Sequence, residues 1–135
     1  MVFVIGGAYQ GKVDFVTDHL RMLDTDLIDG ANCEIDLIYH AKGINHFHQF
    51  IRRLMKDDMD LKGIIDKLIQ ENRNCIIIST EIGCGLVPID KFEREYREKV
   101  GRICCQIAKN AAQVYRVQCG IATKIYDEDA KEETV

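Results

Sequence analysis

The sequence lacks the features of several classes of protein. Its 135 residues carry a net charge of −4, and no cluster of Lys, Arg and aromatic residues forms the basic surface that nucleic-acid binding needs. The apolar start, residues 2–5, is too short for a signal peptide or a membrane span. We therefore expect a cytoplasmic protein that has neither a nucleic-acid partner nor a membrane partner.

The cysteines and histidines also lack the sequence spacing that is typical of metal sites and of reactive thiols. The six cysteines form no C-x-x-C pair and no zinc pattern, so we expect most of them to be small buried hydrophobes. Cys84 lies between two glycines, but no obvious base accompanies it. The spacing of His40, His46 and His48 does not repeat the i, i+4 pair of zinc helices. Whether His46 and Asn45 project toward a substrate pocket, or the histidines are partly buried beside phenylalanines, stays open.

A single domain accounts for the length of the chain. Hydrophobic residues make up 47% of the sequence, which is enough to bury a core. We expect one α/β domain over residues 1–126 and a flexible acidic tail over residues 127–135.

What the sequence does have is a strand, a glycine-rich loop and a helix in direct succession. Residues 2–5 predict a buried strand and residues 14–23 a helix. In such a loop, backbone N–H groups turn toward a phosphate, and the helix dipole and a lysine add positive charge. The loop matches the first seven positions of G-x-x-x-x-G-K-[ST] with Gly6, Gly7, Ala8, Tyr9, Gln10, Gly11 and Lys12. This succession predicts binding of a nucleotide or another phosphate.

The next position departs from the motif. Val13 stands where a Ser or Thr hydroxyl would ligate Mg²⁺. The substitution favours phosphate binding over efficient phosphoryl transfer. A glycine-rich turn without a ligand is the alternative interpretation.

A short strand over residues 26–30 ends in a carboxylate. Asp29 is the best local candidate for a metal ligand, directly or through water, because phosphate-loop proteins commonly place an acidic residue on a second strand. A turn aspartate before a glycine is an equally good interpretation.

A second carboxylate follows the clearest strand. Residues 75–80 are apolar without alternation, as in a central parallel strand buried on both faces. Glu81 comes next and begins a loop that contains Gly83, Gly85 and Pro88, at the edge where open α/β sheets bind ligands. The roles open to Glu81 are ligating Mg²⁺, accepting a proton from a substrate hydroxyl and holding the loop. A plain strand-to-helix connector is the alternative.

Apolar spacing predicts the remaining elements. Helices are expected over residues 34–55, 61–72 and 90–112, although Gly43 weakens the first of them. Residues 114–119 predict the last clear strand, and residues 121–126 either an edge strand or a segment over the site.

Several of these segments resemble the adenosylcobinamide kinase / adenosylcobinamide-phosphate guanylyltransferase family. They are FVIGGAYQGK at residues 3–12, TEIGCGLVP at residues 80–88, YREKVGR at residues 96–102 and the strand ending CGI at residues 114–121. The resemblance implies a P-loop NTPase of the RecA-like type, a three-layer α/β sandwich with a mostly parallel central sheet. It also implies the use of GTP or ATP on a corrinoid small molecule in cobalamin biosynthesis, by a homo-oligomer.

Carried over residue by residue, the resemblance assigns nucleotide binding to residues 6–13, together with Gly83 and Gly85. It supports Lys12 and Glu81 as site residues. We add Asp29 as a candidate catalytic residue and as the candidate ligand of Mg²⁺. Val13 weakens the expectation that Mg²⁺ is bound.

Two departures from the family are clear. Family members transfer a guanylyl group through a covalent histidine, but the segment that contains it, between the first helix and residue 34, is missing here. Tyr9 and Gln10 also replace the family's usual Arg-Ser. We therefore hypothesise a reduced member without guanylyl transfer, whose kinase step survives if Asp29 and water complete the Mg²⁺ shell. The alternative is a non-catalytic nucleotide- or corrinoid-phosphate-binding module, such as a regulatory partner.

Overall fold

The computed structural model describes residues 1–82 and 90–130. Six strands form one sheet: β1 Val2–Gly6, β2 Leu27–Asp29, β3 Gly43–Asn45, β4 Ile76–Thr80, β5 Gln113–Gln118 and β6 Ile121–Asp127. Four α-helices accompany them: α1 Lys12–His19, α2 Phe47–Lys56, α3 Leu61–Glu71 and α4 Lys91–Asn110. Short 3-10 helices cover Asp24–Asp26 and Ile35–Tyr39.

The sheet places the glycine-rich loop near its centre. The strand order is β2-β3-β4-β1-β5-β6, and β1 pairs in parallel with both β4 and β5. β2, β3 and β4 also run parallel, whereas β6 pairs with β5 in the antiparallel sense. The predicted mostly parallel sheet is therefore confirmed. Since the carboxyl ends of parallel strands meet at one edge, the segments after β1, β3 and β4 lie side by side.

Alternating side chains of the central strands build a core on each face of the sheet. Phe3 and Ile77 belong to the larger core, which is covered by α2, α3 and α4. Val4 and Ile78 belong to the smaller core on the opposite face, where α1 contributes Phe15 and Val16. The result is a three-layer arrangement with the sheet in the middle.

The predicted helix over residues 34–55 is wrong. The segment divides into the 3-10 helix Ile35–Tyr39, strand β3 and helix α2. A Cβ on Gly43 would lie 2.5 Å from the end of the Leu27 side chain and 3.4 Å from the Ile76 carbonyl oxygen, so a larger residue would require the Leu27 side chain to move. His46 then takes a left-handed conformation, φ 53°, directly before α2. Apolar residues every three or four positions suited either arrangement, and the strand was missed.

The other elements agree more closely with the ranges predicted from the sequence. The strands predicted over residues 75–80 and 114–119 are β4 and β5, and the segment after them is the edge strand β6. The first helix ends at His19, earlier than predicted, and Leu23 is exposed. The loop predicted after Glu81 lies mostly outside the described residues. Within residues 1–82 and 90–130 we find no helix long and apolar enough to traverse a bilayer.

The close contact between β1 and β5 predicts opposite effects for two glycine substitutions. A Cβ on Gly6 would lie 2.3 Å from the carbonyl oxygen of Val117, a backbone atom with little freedom to move. We expect Gly6→Ala to lower the free energy of unfolding by about 2 kcal/mol, as overpacking does. Urea denaturation measures this change.

Gly101→Ala is the matched control. Gly101 lies inside α4, and a Cβ there would meet nothing within 4 Å. Alanine is the better helix former, so this variant should be more stable by up to about 1 kcal/mol. A loss of stability in both variants, or in neither, would contradict the packing described here.

Candidate functional site

A cavity of about 450 Å³ opens at the carboxyl edge of the sheet. Residues 8–14, in the glycine-rich loop and the first turn of α1, form one wall. The facing wall comes from the ends of β3 and β4 and the start of α2, and consists of Asn45, His46, His48, Gln49 and Thr80. The structure thus places the predicted phosphate loop opposite two of the three histidines whose role the sequence left open.

The loop presents unpaired backbone donors to this cavity. Gly11 at φ 90° and Tyr9 at φ 58° take left-handed conformations that turn the chain, and the Phe15 N–H then donates to the Gly11 carbonyl as α1 begins. The N–H groups of residues 8–13 donate to no acceptor in residues 1–82 and 90–130. Converging N–H groups at a helix N-terminus attract anions. The loop therefore has the backbone geometry of an anion site.

The turn between β5 and β6 supports the loop from behind. The Gln10 carbonyl accepts the Gly120 N–H at 2.8 Å, and Gln10 Oε1 accepts the Cys119 N–H at 2.7 Å. A Cβ on Gly11 would lie 3.2 Å from the Gly120 Cα, so the two segments are in close contact. No local sequence pattern indicates this support, because the residues that form it are more than 100 positions apart.

Lys12 lies beneath the loop. Its Nζ donates to the Gly7 carbonyl at 2.6 Å and to the Gly6 carbonyl at 3.3 Å, and its side chain is 9% exposed. Burial lowers the pKa of Lys12, and the nearby Glu81 carboxylate opposes that shift. The lysine places a charge beside the unpaired N–H groups, and its partners are neutral carbonyls.

Glu81 directs its carboxylate away from the main cavity. It forms a salt bridge with Arg116, Oε1 to Nε at 2.9 Å, and its own N–H donates to the Gly6 carbonyl at 2.8 Å. It lines a second, smaller cavity together with Ile82, Val100 and other residues. Glu81 thus contacts the base of the loop through its backbone.

Asp29 is absent from the cavity lining and contacts it through His46. It ends β2, with β3 and β4 between it and β1. Asp29 Oδ1 accepts the Ala31 N–H at 2.9 Å and pairs with His46 Nδ1 at 3.0 Å. Burial would raise the pKa of the Asp29 carboxyl, but these hydrogen bonds and nearby positive charge lower it. Arg53 holds the following turn by donating to the carbonyls of Gly30 and Cys33.

His48 is a buried, neutral imidazole. Its Nδ1 accepts the Thr80 N–H at 3.4 Å, and the Tyr96 hydroxyl donates to its backbone carbonyl at 3.0 Å. Burial, followed by the charges of His46 and Lys12, lowers the pKa of His48 to about 4. A neutral ring whose Nδ1 accepts must carry its proton on Nε2.

The cavity offers few ligands for Mg²⁺. Val13 contributes no hydroxyl, and Asp14 is the one carboxylate that the described residues place in the cavity lining. The other polar side chains there are amides, imidazoles, a hydroxyl and Lys12, whereas protein-bound Mg²⁺ usually takes one or two carboxylates together with waters and substrate phosphates. The described part of the chain also contains no group of three or more His, Cys, Asp and Glu residues that could hold a metal ion.

The structure brings some of the predicted site residues together. Residues 8–13 line the cavity, Gly6 and Gly7 accept hydrogen bonds from Lys12, and the Glu81 N–H donates to the Gly6 carbonyl. Asp29 is more remote, and Gly83 and Gly85 lie outside the described residues. Sequence reasoning missed Thr80 as a site residue, and it placed Asn45, His46 and His48 on a long helix. The signal that was available is Gly43, which marked the break in that helix.

The order β5-β1-β4-β3-β2, with a glycine-lysine loop after β1, defines a P-loop NTPase fold of the RecA-like type. Residues 45–125, more than half of the chain, match the family model described as cobinamide kinase / cobinamide phosphate guanyltransferase. The chain belongs to this cobalamin-biosynthesis family, which confirms the resemblance seen in the sequence. The glycine-rich loop precedes the matched region.

Two curated relatives are similar to parts of the chain. The bifunctional adenosylcobalamin biosynthesis protein CobU of Escherichia coli (strain K12) is 34% identical over 65 residues, which cover 45% of this chain and 36% of that protein. The protein of the same name from Salmonella typhimurium (strain LT2) is 29% identical over 94 residues, which cover 67% of this chain and 51% of that protein. The chain thus matches about half or less of each relative's length.

The buried imidazole of His48 predicts a pH dependence of stability. Its pKa in the folded chain, about 4, lies below the ordinary value of 6.5, so the unfolded chain binds the proton more tightly. The contribution of the neutral ring is complete above pH 6.5 and decreases as the pH falls toward about 4.

Urea denaturation at neutral pH and at about pH 5 measures this effect. We expect the free energy of unfolding to fall less in His48→Gln than in the wild type. His40→Gln, a change at an exposed residue outside the cavity, should behave like the wild type. Identical pH profiles for the wild type and His48→Gln would contradict the assignment.

Proposed function

We propose that this chain is a nucleotide-binding protein of cobalamin biosynthesis that holds the phosphates of GTP or ATP at residues 6–13. The observation that carries the proposal is the set of N–H groups at residues 8–13 that lack a partner among the described residues, in a segment that lines a cavity beside the buried Lys12 ammonium. Groups of this kind match the charge and the hydrogen-bonding capacity of a polyphosphate. A corrinoid or its phosphate is the proposed second ligand.

Lys12 has a defined role in this proposal. Its Nζ now donates to the Gly6 and Gly7 carbonyls, which are neutral acceptors. A phosphate oxygen carries negative charge and forms the stronger, charge-assisted hydrogen bond. We expect the ammonium to exchange these carbonyls for the β and γ phosphates when a nucleotide binds, which needs only a rotation of the side chain.

Guanylyl transfer is not part of the proposed function. The resemblance to the family implies that the segment with its guanylylated histidine is missing here, and His46 and His48 lie on the wall formed by β3 and α2. Glu81, paired with Arg116, has the proposed role of holding the base of the loop. Homo-oligomer formation remains a proposal that rests on the family.

Isothermal titration with GTP and ATP tests the proposal. The wild type should bind at least one of them, and Lys12→Ala should weaken binding at least tenfold, since a hydrogen bond to a charged group contributes about 1.5–3 kcal/mol. Lys99→Ala, on the exposed face of α4, is the control and should leave the affinity unchanged. Absence of triphosphate binding, or equal affinities for Lys12→Ala and the wild type, would count against a nucleotide site.

A residual kinase is the second candidate function, and the pair of Asp29 and His46 is the observation that favours it. Asp29 orients Nδ1 of a ring that lines the cavity, and this leaves Nε2 as the ring's other proton-transfer atom. A histidine oriented in this way is a suitable general base for a substrate hydroxyl. Asp29 would then act by positioning His46.

Phosphate transfer from ATP to adenosylcobinamide, followed by product analysis, tests this second function. His46→Gln should lower kcat by at least about a hundredfold, because general-base catalysis typically contributes that much. Asp29→Asn should lower kcat less and should shift its pH profile. Nucleotide affinity should stay the same in both variants. The kinase reading fails if the wild type gives no phosphorylated product or if His46→Gln turns over normally.

A further inference from the structure

We propose that His48 is a phosphate-recognition residue whose Nε2–H donates to the terminal phosphate of a nucleoside triphosphate, so that this loop binds its nucleotide without Mg²⁺. The inference rests on the proposed nucleotide site and specifies how that site recognises its ligand. It replaces the metal ion, for which the described lining offers a single carboxylate and Val13 offers no hydroxyl, with a hydrogen-bond donor that the chain itself supplies.

The hydrogen bonds of the ring determine which nitrogen is the donor. His48 Nδ1 accepts the Thr80 N–H, so the proton of the neutral ring is on Nε2. Nε2 has no acceptor in residues 1–82 and 90–130. Ser79 Oγ is the one fully buried side-chain polar atom without a partner in those residues, so Nε2 is accessible. Since the ring lines the cavity, the accessible donor faces the space enclosed by the loop.

The ring is held firmly in this position. Tyr96 of α4 donates to the His48 carbonyl, and Phe47 and Ile51 of α2 are fully buried. Arg52 ties α2 to α4 through a two-point salt bridge with Glu93. The donor therefore needs little ordering when a ligand arrives, and a preorganised hydrogen bond contributes more to affinity.

Lys12 and His48 both line the same cavity. The ammonium of Lys12 is close enough to disfavour a positive charge on His48, so the ring remains a neutral donor beside a cation. A polyphosphate between them would meet the loop N–H groups and Lys12 on one side and Nε2–H on the other. The side chain of Val13 adds neither a donor nor a metal ligand, and Mg²⁺ is not needed to complete this arrangement.

Titration of the wild type with GTP and ATP, in EDTA and in Mg²⁺, is the first arm of the test. We expect the dissociation constant in EDTA to lie within about threefold of the value in Mg²⁺. A loss of affinity of more than about tenfold in EDTA would overturn the inference. This arm uses the unmodified protein, so it does not depend on the folding of any variant.

Substitution of His48 is the second arm. His48→Phe keeps a ring but removes the donor, and should weaken triphosphate binding about tenfold in EDTA. His48→Gln restores an N–H donor at a similar reach and should recover most of the lost affinity. His40→Phe, outside the cavity, is the control. Equal affinities for His48→Phe and the wild type, with thermal melts showing both folded, would overturn the inference.

The two proposals fail in different ways. If the wild type binds no triphosphate in either buffer, the nucleotide site itself is wrong, and the role of His48 is rejected with it. If binding depends on Lys12 but also requires Mg²⁺ and is unaffected by His48→Phe, the nucleotide site stands and only the role of His48 is rejected.

Discussion

The candidate site depends on the attachment of the glycine-rich loop to the turn between β5 and β6. Gln10 makes both hydrogen bonds of this attachment, one through its carbonyl and one through its side chain. With the loop held from behind, the N–H groups of residues 8–13 are free of partners in the described part of the chain. An unpaired backbone donor costs free energy when it is buried away from water. The lining of an open cavity avoids this cost and also leaves the donors available to a ligand.

The position of the facing wall depends on a different contact, the packing of β3 between β2 and β4. Gly43 permits this packing, and the left-handed turn at His46 follows within three residues. The turn directs the chain into α2, so that His46 meets Asp29 while His48 meets the backbone of β4. Two histidines of similar sequence context thus acquire different environments. His46 pairs with a carboxylate, whereas His48 is buried, neutral and accepts a hydrogen bond.

The sequence predicts the loop wall of the site much better than the histidine wall. The loop is local, because a strand, the glycines, Lys12 and a helix succeed one another within 20 residues and each has its own signal. The uninterrupted apolar run that became β4 is also a local signal. For these segments, pattern and structure coincide.

The facing wall is a product of long-range contacts. β3 is three residues long and lies between apolar residues whose spacing also fits a helix, so periodicity could not distinguish the two arrangements. Nothing local shows that Thr80 will meet His48, or that Cys119 will meet Gln10, because these contacts span 32 and 109 positions. Only the order of the strands brings them together.

In the proposed function, the glycine-rich loop and Lys12 receive the phosphates of a nucleotide. A crystal structure of the protein with a non-hydrolysable GTP analogue would show this contact. We expect phosphate oxygens within hydrogen-bonding distance of the N–H groups of residues 8–13, with Lys12 Nζ moved from the Gly7 carbonyl to the phosphates. An analogue bound elsewhere, with Lys12 still donating to Gly7, would contradict it.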